Sequence, residues 1–344
     1  MGLIPMFIII LTLLSSIGSV YPGKALHHVN DLGPYDDSTD LGLFDPFYDA
    51  NDPNNPTCKS PIPPYVLPIY KIDIMLLQFA QNLEHMEADY FLWGALGYGL
   101  DTVAPQLTQG GPPPIGVQKA NLDNLTESII TEFAYEEVGH LRVLKRTVGG
   151  IPRPLLDLSP KHFAKIVNDA FGYELEPPFN PYCDSLSYML STYILPYVGL
   201  NGYVGANPLI KGYVAKRLLA GLLGVESGQD AAIRMYLYER ADKVVHPYKF
   251  TVAEFTERIS ILRNKLGMCG IKDEGIIVPP ELGAEGRSCT NVLSANQDSL
   301  SYPRTPAEIL RIVYGTGNEH VPGGFYPEGG NGEIARMYLH DKCY

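Results

Sequence analysis

The sequence lacks several features that would point to a membrane protein, a nucleic-acid-binding protein or a zinc protein. Beyond its amino-terminal segment, no apolar run approaches the ~20 residues that a membrane-spanning helix needs. Its formal net charge is −12 and its basic residues are scattered, which excludes the basic surface of a protein that binds nucleic acid or anionic lipid. Zinc-site spacing is absent among its five cysteines, and this odd number allows at most two intramolecular disulfides among Cys58, Cys183, Cys269, Cys289 and Cys343.

The amino terminus predicts a secretory signal peptide. The apolar run from Leu3 to Leu14 is too short to span a bilayer and small residues follow it, so we assign residues 1–19 to the signal peptide. The destination that this predicts is the apoplast, another extracellular space or the vacuole. Asn124 lies in an Asn-Leu-Thr sequon, which makes it a candidate glycosylation site. Alternatively, Asn124 is a helix N-cap, with Glu127 placed three residues later.

The composition divides the rest of the chain into three parts. Residues 20–67 are rich in Asp, Pro, Asn and Gly and show little periodicity, so they form an irregular amino-terminal arm. Residues 68–266 hold the long periodic segments and predict a helical bundle. Residues 267–344 are rich in Gly and Pro and predict an extension packed on the bundle, with one short helix that begins at Thr305 and Pro306.

Apolar residues recur at spacings of three and four along the bundle segment, which is typical of α-helices. One long amphipathic helix begins near Ile69, and a second spans residues 124–148. After a long crossover with a short helix at residues 160–170, residues 185–207 predict a buried helix bent at Pro196, and residues 213–245 and 252–267 predict two more. This order predicts an all-α, four-helix bundle with a long crossover. A generic helical bundle without a site is the alternative.

Three pairs of polar residues occur with helical spacing inside these apolar helices. Glu137 and His140 form a Glu-x-x-His pair, Glu226 and Gln229 repeat it with Gln in place of His, and the first helix carries Glu84 and Glu87. Residues three apart share one face of a helix. One Glu-x-x-His pair is common on surfaces, but three pairs on three long helices predict a polar cluster in the bundle interior. Buried carboxylates need a cation or a proton as partner.

Five stretches resemble the plant desiccation-related proteins of the ferritin-like superfamily. They are "NLEHMEADYFLWGALGYGLD", "EEVGHLR", "YVGLNGYVGANP", "KRLLAGLLGVESGQDAAIR" and "TPAEILRIVYGTGNEHVPGGFYP". The resemblance runs from about residue 76 to residue 339, which is most of the chain. It implies a ferritin-like bundle in which helices one and three each give a carboxylate, helices two and four each give Glu-x-x-His, and these groups hold two iron or manganese ions.

Transferred to this chain, the resemblance implies a metal site that is incomplete. Gln229 stands where the second His is expected, and the helix-three carboxylate falls near Pro196 and Tyr197. We therefore expect a degraded di-metal site and no required cofactor. If metal is retained, we expect a single Mn, Fe or Zn ion, held among Glu84, Glu87, Glu137, His140, Glu226 and Gln229.

Three functions are compatible with this sequence. The first is a cofactor-free isomerase or cyclase that acts by acid–base catalysis on a small carbonyl-bearing plant metabolite of terpenoid type. The second is a secreted, non-enzymatic protein that protects against desiccation or stress, and the third is a protein that stores one metal ion or uses it in redox protection. The expected partner is a small molecule and not a nucleic acid. For the enzyme, the candidate catalytic residues are Glu84, Glu137, His140, Tyr193, Tyr197 and Glu226.

Overall fold

The computed structural model describes residues 68–272 and 274–340, and these residues form an all-α fold without a β-strand. The signal peptide (residues 1–19), the arm (residues 20–67) and the last four residues lie outside the described residues. The helices are α1 (Lys71–Leu96), α2 (Leu100–Val103), α3 (Pro105–Thr108), α4 (Asn124–Val148), α5 (Pro160–Phe171), α6 (Ser185–Thr192), α7 (Pro196–Ala206), α8 (Tyr213–Tyr238), α9 (Val252–Gly267), α10 (Pro306–Val313) and α11 (Gly332–His340).

The bundle is built from α1, α4, the α6–α7 pair and α8. Helix α1 packs along α4, and α7 packs along α8. The crossover between the two pairs contains α5, which packs on α9. The predicted ferritin-like, all-α bundle is confirmed, and three of its four long segments, α1, α4 and α8, direct the polar pairs towards a common interior.

Helix α1 lies at the centre of the molecule. Every residue from Gln81 to Leu92 is buried, so this stretch is not the surface helix that an amphipathic pattern alone predicts. The carboxy-terminal extension covers its outer side: Asn82 donates a hydrogen bond from Nδ2 to the carbonyl of Asn331 at 2.9 Å, and Tyr326 donates to the carbonyl of Asn82 at 2.9 Å. The extension therefore completes the wall of the bundle.

The third segment of the bundle is two helices and not one bent helix. Helix α6 ends at Thr192, and Pro196 occupies the first turn of α7. Proline has no N–H to donate to the preceding turn and its fixed φ favours the start of a helix, so the chain ends one helix and begins another. The expectation of a single helix over residues 185–207 is therefore wrong, and the helical spacing does not continue across the break.

The ends of the helices carry the capping groups that their sequences allow. Asp123, and not Asn124, is the N-cap of α4, where it accepts a hydrogen bond from the N–H of Thr126 at 2.9 Å. Asn124 is exposed in the first turn. Thr305 caps α10 as expected.

Within the described residues, Cys183, Cys269 and Cys289 are free and exposed. No helix in this part of the chain is both long and apolar enough to cross a membrane.

Candidate functional site

His140 lies at the centre of a buried group of carboxylates contributed by three helices. Its Nδ1 atom is 3.1 Å from Oε2 of Glu84 on α1, 3.2 Å from Oε2 of Glu137 on α4, and 3.7 Å from Oε1 of Glu226 on α8. All four side chains are buried. One ligand atom from each lies within 4.8 Å of the others, and within residues 68–272 and 274–340 this is the group of side chains suited to hold a metal ion. We call these four residues the central cluster.

Two neutral side chains orient the carboxylates of the central cluster. Gln229 donates hydrogen bonds from Nε2 to Glu137 at 2.7 Å and to Glu136 at 3.0 Å. The hydroxyl of Tyr203 on α7 donates a hydrogen bond to Oε1 of Glu84. Gln229 therefore occupies the place of a second imidazole but supplies an amide donor to Glu137, while Tyr203 fixes Glu84.

Two carboxyl groups of the site have oxygen atoms that receive no hydrogen bond from any residue the structure describes. Within the described residues, the oxygen atoms without a donor are Oε1 and Oε2 of Glu226 and Oε1 of Glu87. The side chains of Glu226 and Glu87 are both buried. The amide oxygen of Gln229 is in the same situation within this part of the chain. A buried acceptor without a donor costs about 1–3 kcal/mol, so these oxygens call for a partner such as a cation, a proton or a ligand.

Gly199 is the residue of α7 that faces these oxygens. A Cβ atom at this position would lie 3.4 Å from Oε1 of Glu87 and 3.5 Å from Oε2 of Glu226. Gly199 lies three residues after Pro196, near which the resemblance places the helix-three carboxylate, and it offers no ligand atom from its side chain. With Gly199 and Gln229 in these positions, one side of the site has fewer ligands than the other.

The charges in the interior are unevenly distributed. Burial lowers the pKa of His140, but the carboxylates of Glu137 and Glu84 outweigh burial and raise it to about 12. Burial opposes ionisation of Glu84, yet the charge and hydrogen bond of His140 hold the pKa of Glu84 below its usual value. Burial, only partly offset by His140, raises the pKa of Glu137 to about 8. Burial and the neighbouring carboxylates raise the pKa values of Glu87 and Glu226 well above the usual range.

The central cluster fits one metal ion. Carboxylate oxygens and an imidazole are ligands that Mn, Fe and Zn accept, and the oxygens of Glu226, which accept no hydrogen bond from the described residues, leave room for such a partner. Glu84, Glu137, His140 and Glu226 would hold such an ion. A second ion would have Glu87 as a ligand but would find a glycine at position 199 and an amide at position 229.

Tyr193 and Tyr197, expected beside the carboxylates, have their hydroxyl groups in another part of the interior. The hydroxyl of Tyr193 lies 2.7 Å from Oγ of Ser260, and that of Tyr197 lies 2.7 Å from Oγ of Ser294. Both hydroxyls bond to α9 or to the carboxy-terminal extension and not to the central cluster, so the expectation that they line the site is wrong. Tyr203, further along α7, contributes the hydroxyl instead. Its sequence signal was only that it is an aromatic residue in an apolar helix.

Comparison with known proteins agrees with this geometry. Residues 72–239 match the model of the ferritin-like domain. The chain is 71% identical over 267 residues to a protein named ferritin-like catalase Nec2 from Nesocodon mauritianus, covering 78% of this chain and 86% of that protein. It is 53% identical over 276 residues to desiccation-related protein PCC13-62 from Craterostigma plantagineum, covering 80% of this chain and 88% of that protein. No solved structure matches the chain.

A bundle of this topology with Glu and His on three inner faces defines the class of ferritin-like proteins. Within that class, the chain belongs to the family that includes the plant desiccation-related proteins.

Proposed function

We propose that this protein removes hydrogen peroxide at a metal ion held by the central cluster. The observation that supports this proposal most directly is the pair of unbonded, buried oxygens of Glu226 beside Glu84, Glu137 and His140, as far as the structure describes the chain. The relative that is 71% identical is named a catalase, and its name suggests the reaction. The single-metal alternative from the sequence thus becomes the leading function.

The reaction converts two molecules of hydrogen peroxide into two of water and one of dioxygen. One peroxide gives up two protons and two electrons as dioxygen forms, and the other takes them up as its O–O bond breaks. A bound redox metal supplies the electron transfer. The residues of the chain handle the protons: Glu137 and Glu226 would be ligands of the ion, and the neighbouring carboxyl group of Glu87, whose Oε1 accepts no hydrogen bond from the described residues, would take up and return the protons.

Oxygen evolution from hydrogen peroxide tests the proposal. Protein loaded with Mn or Fe should release dioxygen, and dialysis against a chelator should remove both metal and activity. Glu137→Gln and His140→Ala should each lower the Mn affinity, and with it the release of dioxygen, by roughly 100-fold, since each removes a proposed ligand of the ion. Glu132→Gln, on the exposed side of the same helix, is the matched control. Loaded protein that holds metal but releases no dioxygen contradicts the proposal.

A second candidate is the cofactor-free isomerase or cyclase expected from the sequence, and one observation favours it. Gly199 and Gln229 remove ligands on one side of the site, while the carboxyl groups of Glu87 and Glu226 remain in an apolar interior. Such groups could transfer a proton to and from a carbonyl-bearing metabolite without a metal, with Tyr203 as the nearby hydroxyl.

Precursor turnover after chelation and dioxygen release after metal loading together distinguish the two candidate functions. Chelator-treated protein is incubated with carbonyl-bearing terpenoid precursors, and the products are followed by mass spectrometry. Turnover that survives chelation and disappears in Glu137→Gln supports the isomerase. If the chelator-treated protein does not convert the terpenoid precursors, and only the metal-loaded protein releases dioxygen from hydrogen peroxide, the proposal of peroxide removal is supported. If neither reaction occurs, the non-enzymatic protective protein remains.

A further inference from the structure

A cavity lies between α1, α7 and the start of α10, and it ends at the carboxylates. It encloses about 620 Å³, its open mouth included. Leu209, which is 51% exposed, lies at the mouth with the half-buried Ala80 and Ala206. Glu84 and Glu87, both buried, lie at the inner end. The cavity therefore reaches from the surface to the candidate site.

On the α1 side the walls of this cavity are mainly apolar side chains, and on the α7 side three glycines line it together with Tyr203 and Ala206. Gly199, Gly202 and Gly205 follow one another at intervals of three residues along α7 and all line the cavity. A Cβ atom at Gly202 would lie only 2.8 Å from Cδ1 of Ile309, so a side chain here would narrow the space. The apolar side chains that line the cavity are Leu76, Leu77, Phe79, Leu83, Leu219 and Ile309.

The inner end of the cavity offers a hydrogen-bond acceptor that the rest of the described chain does not satisfy. Oε1 of Glu87 accepts no hydrogen bond there, whereas Oε1 of Glu84 accepts the one from Tyr203. Apolar walls give water few partners, so water does not fill such a space well. A molecule that suits both the walls and Glu87 has an apolar body and one hydrogen-bond donor at its end.

We propose that this cavity is a binding site for a small, largely apolar alcohol whose hydroxyl group donates a hydrogen bond to Glu87. The inference goes beyond peroxide removal, because hydrogen peroxide is small and polar and has no need of apolar walls. It also does not require a metal, so the binding and the oxygen evolution can fail separately.

Isothermal titration calorimetry with 1-octanol tests the site, using the protein both as purified and loaded with Mn. Wild-type protein should bind 1-octanol and should bind heptyl methyl ether, which has the same number of heavy atoms but no O–H, roughly five- to tenfold more weakly. Ala206→Phe places a ring in the mouth and should lower the affinity for 1-octanol at least about tenfold. Ala232→Phe, at an exposed position of α8 outside the cavity lining, is the matched control and should bind as wild type does.

Thermal unfolding and Mn uptake of both variants show whether they fold, since Ala206 is only half-buried. The proposal is overturned if wild-type protein does not bind 1-octanol, or if the folded Ala206→Phe variant binds it as tightly as wild type. Equal affinity for the alcohol and the ether would also overturn it, because the hydrogen bond to Glu87 would then contribute nothing.

Discussion

Helix α1 carries two buried clusters of charged residues that differ in how completely they are hydrogen-bonded. At Asp89, one turn beyond the candidate site, every charged atom has a partner: Arg153 donates to Asp89 at 2.8 Å and to Asp101 at 2.9 Å, and the N–H of Leu100 donates to Asp89 at 3.0 Å. At the central cluster, Glu226 accepts no hydrogen bond from the described residues.

This difference separates a structural role from a functional one. A buried ion pair with all its hydrogen bonds is self-contained and holds segments of the chain together, as Arg153 holds the crossover against α1. A buried carboxyl group that accepts no hydrogen bond is stabilised only when a cation, a proton or a ligand binds to it. The oxygens of the central cluster that are unsatisfied among the described residues are therefore the ones to which we assign a cation or a proton in the proposed function, whereas the Asp89 cluster is already satisfied within the fold.

The largest expected effect tests the structural side of this comparison. Arg153→Met should lower the free energy of unfolding by about 3–5 kcal/mol, because it leaves the buried carboxylate of Asp89 without its cation. Urea unfolding measures this change. Asp101→Asn removes only the partner whose side chain is 49% exposed and should change stability by less than about 1 kcal/mol. A similar loss from both variants would mean that the buried pair has no special role.

A substitution in the central cluster should affect metal binding and not stability, the opposite of a substitution in the Asp89 cluster. Glu226→Gln keeps the shape of the side chain and should reduce Mn affinity about 100-fold, since it removes a charged ligand. Its free energy of unfolding without metal should stay the same or rise, because burial and the neighbouring carboxylates already raise the pKa of Glu226 and favour its neutral form, which the amide resembles in shape. Metal titration and urea unfolding on the same sample measure both quantities. A Glu226→Gln protein that is strongly destabilised while binding Mn normally would assign this residue to the fold.

Helical spacing made the core of this site predictable, and tertiary structure decided the rest. Glu84, Glu137, His140 and Glu226 meet because each lies on an inward face that follows from the period of its helix. The roles of Gly199 and Tyr203 were not predictable, because they depend on how α7 restarts after Pro196. The burial of residues 81–92 of α1 and the presence of α11 depend on the extension, whose Gly-rich sequence has little periodicity.

A smaller effect is expected when the incomplete side of the site is repaired. Gln229→His restores the second Glu-x-x-His and should raise Mn affinity about tenfold, because imidazole is a better ligand than an amide. The metal content should stay below two ions per chain, since Gly199 still offers no carboxylate. Elemental analysis after loading measures this. Two tightly held ions in the unaltered protein would contradict the view that the site has lost one side.

The smallest expected effect concerns the ion pair between Arg311 and Glu319 near the surface. This pair has good geometry, as the Asp89 pair has, but unlike the Asp89 pair it is partly exposed to water. Arg311 donates to Glu319 through Nε and Nη2, both at 2.7 Å, and these hydrogen bonds lower the pKa of Glu319 to about 2. Because the folded-state pKa lies below the unfolded value, the carboxylate stabilises the fold above about pH 4.5 and loses this effect as the pH falls towards 2. Glu319→Gln should therefore cost about 1 kcal/mol or less at pH 7, since water weakens a pair of this kind, and nothing near pH 2. Urea unfolding at the two pH values measures the difference, and a loss as large as that of Arg153→Met would show that enclosure does not set the strength of these pairs.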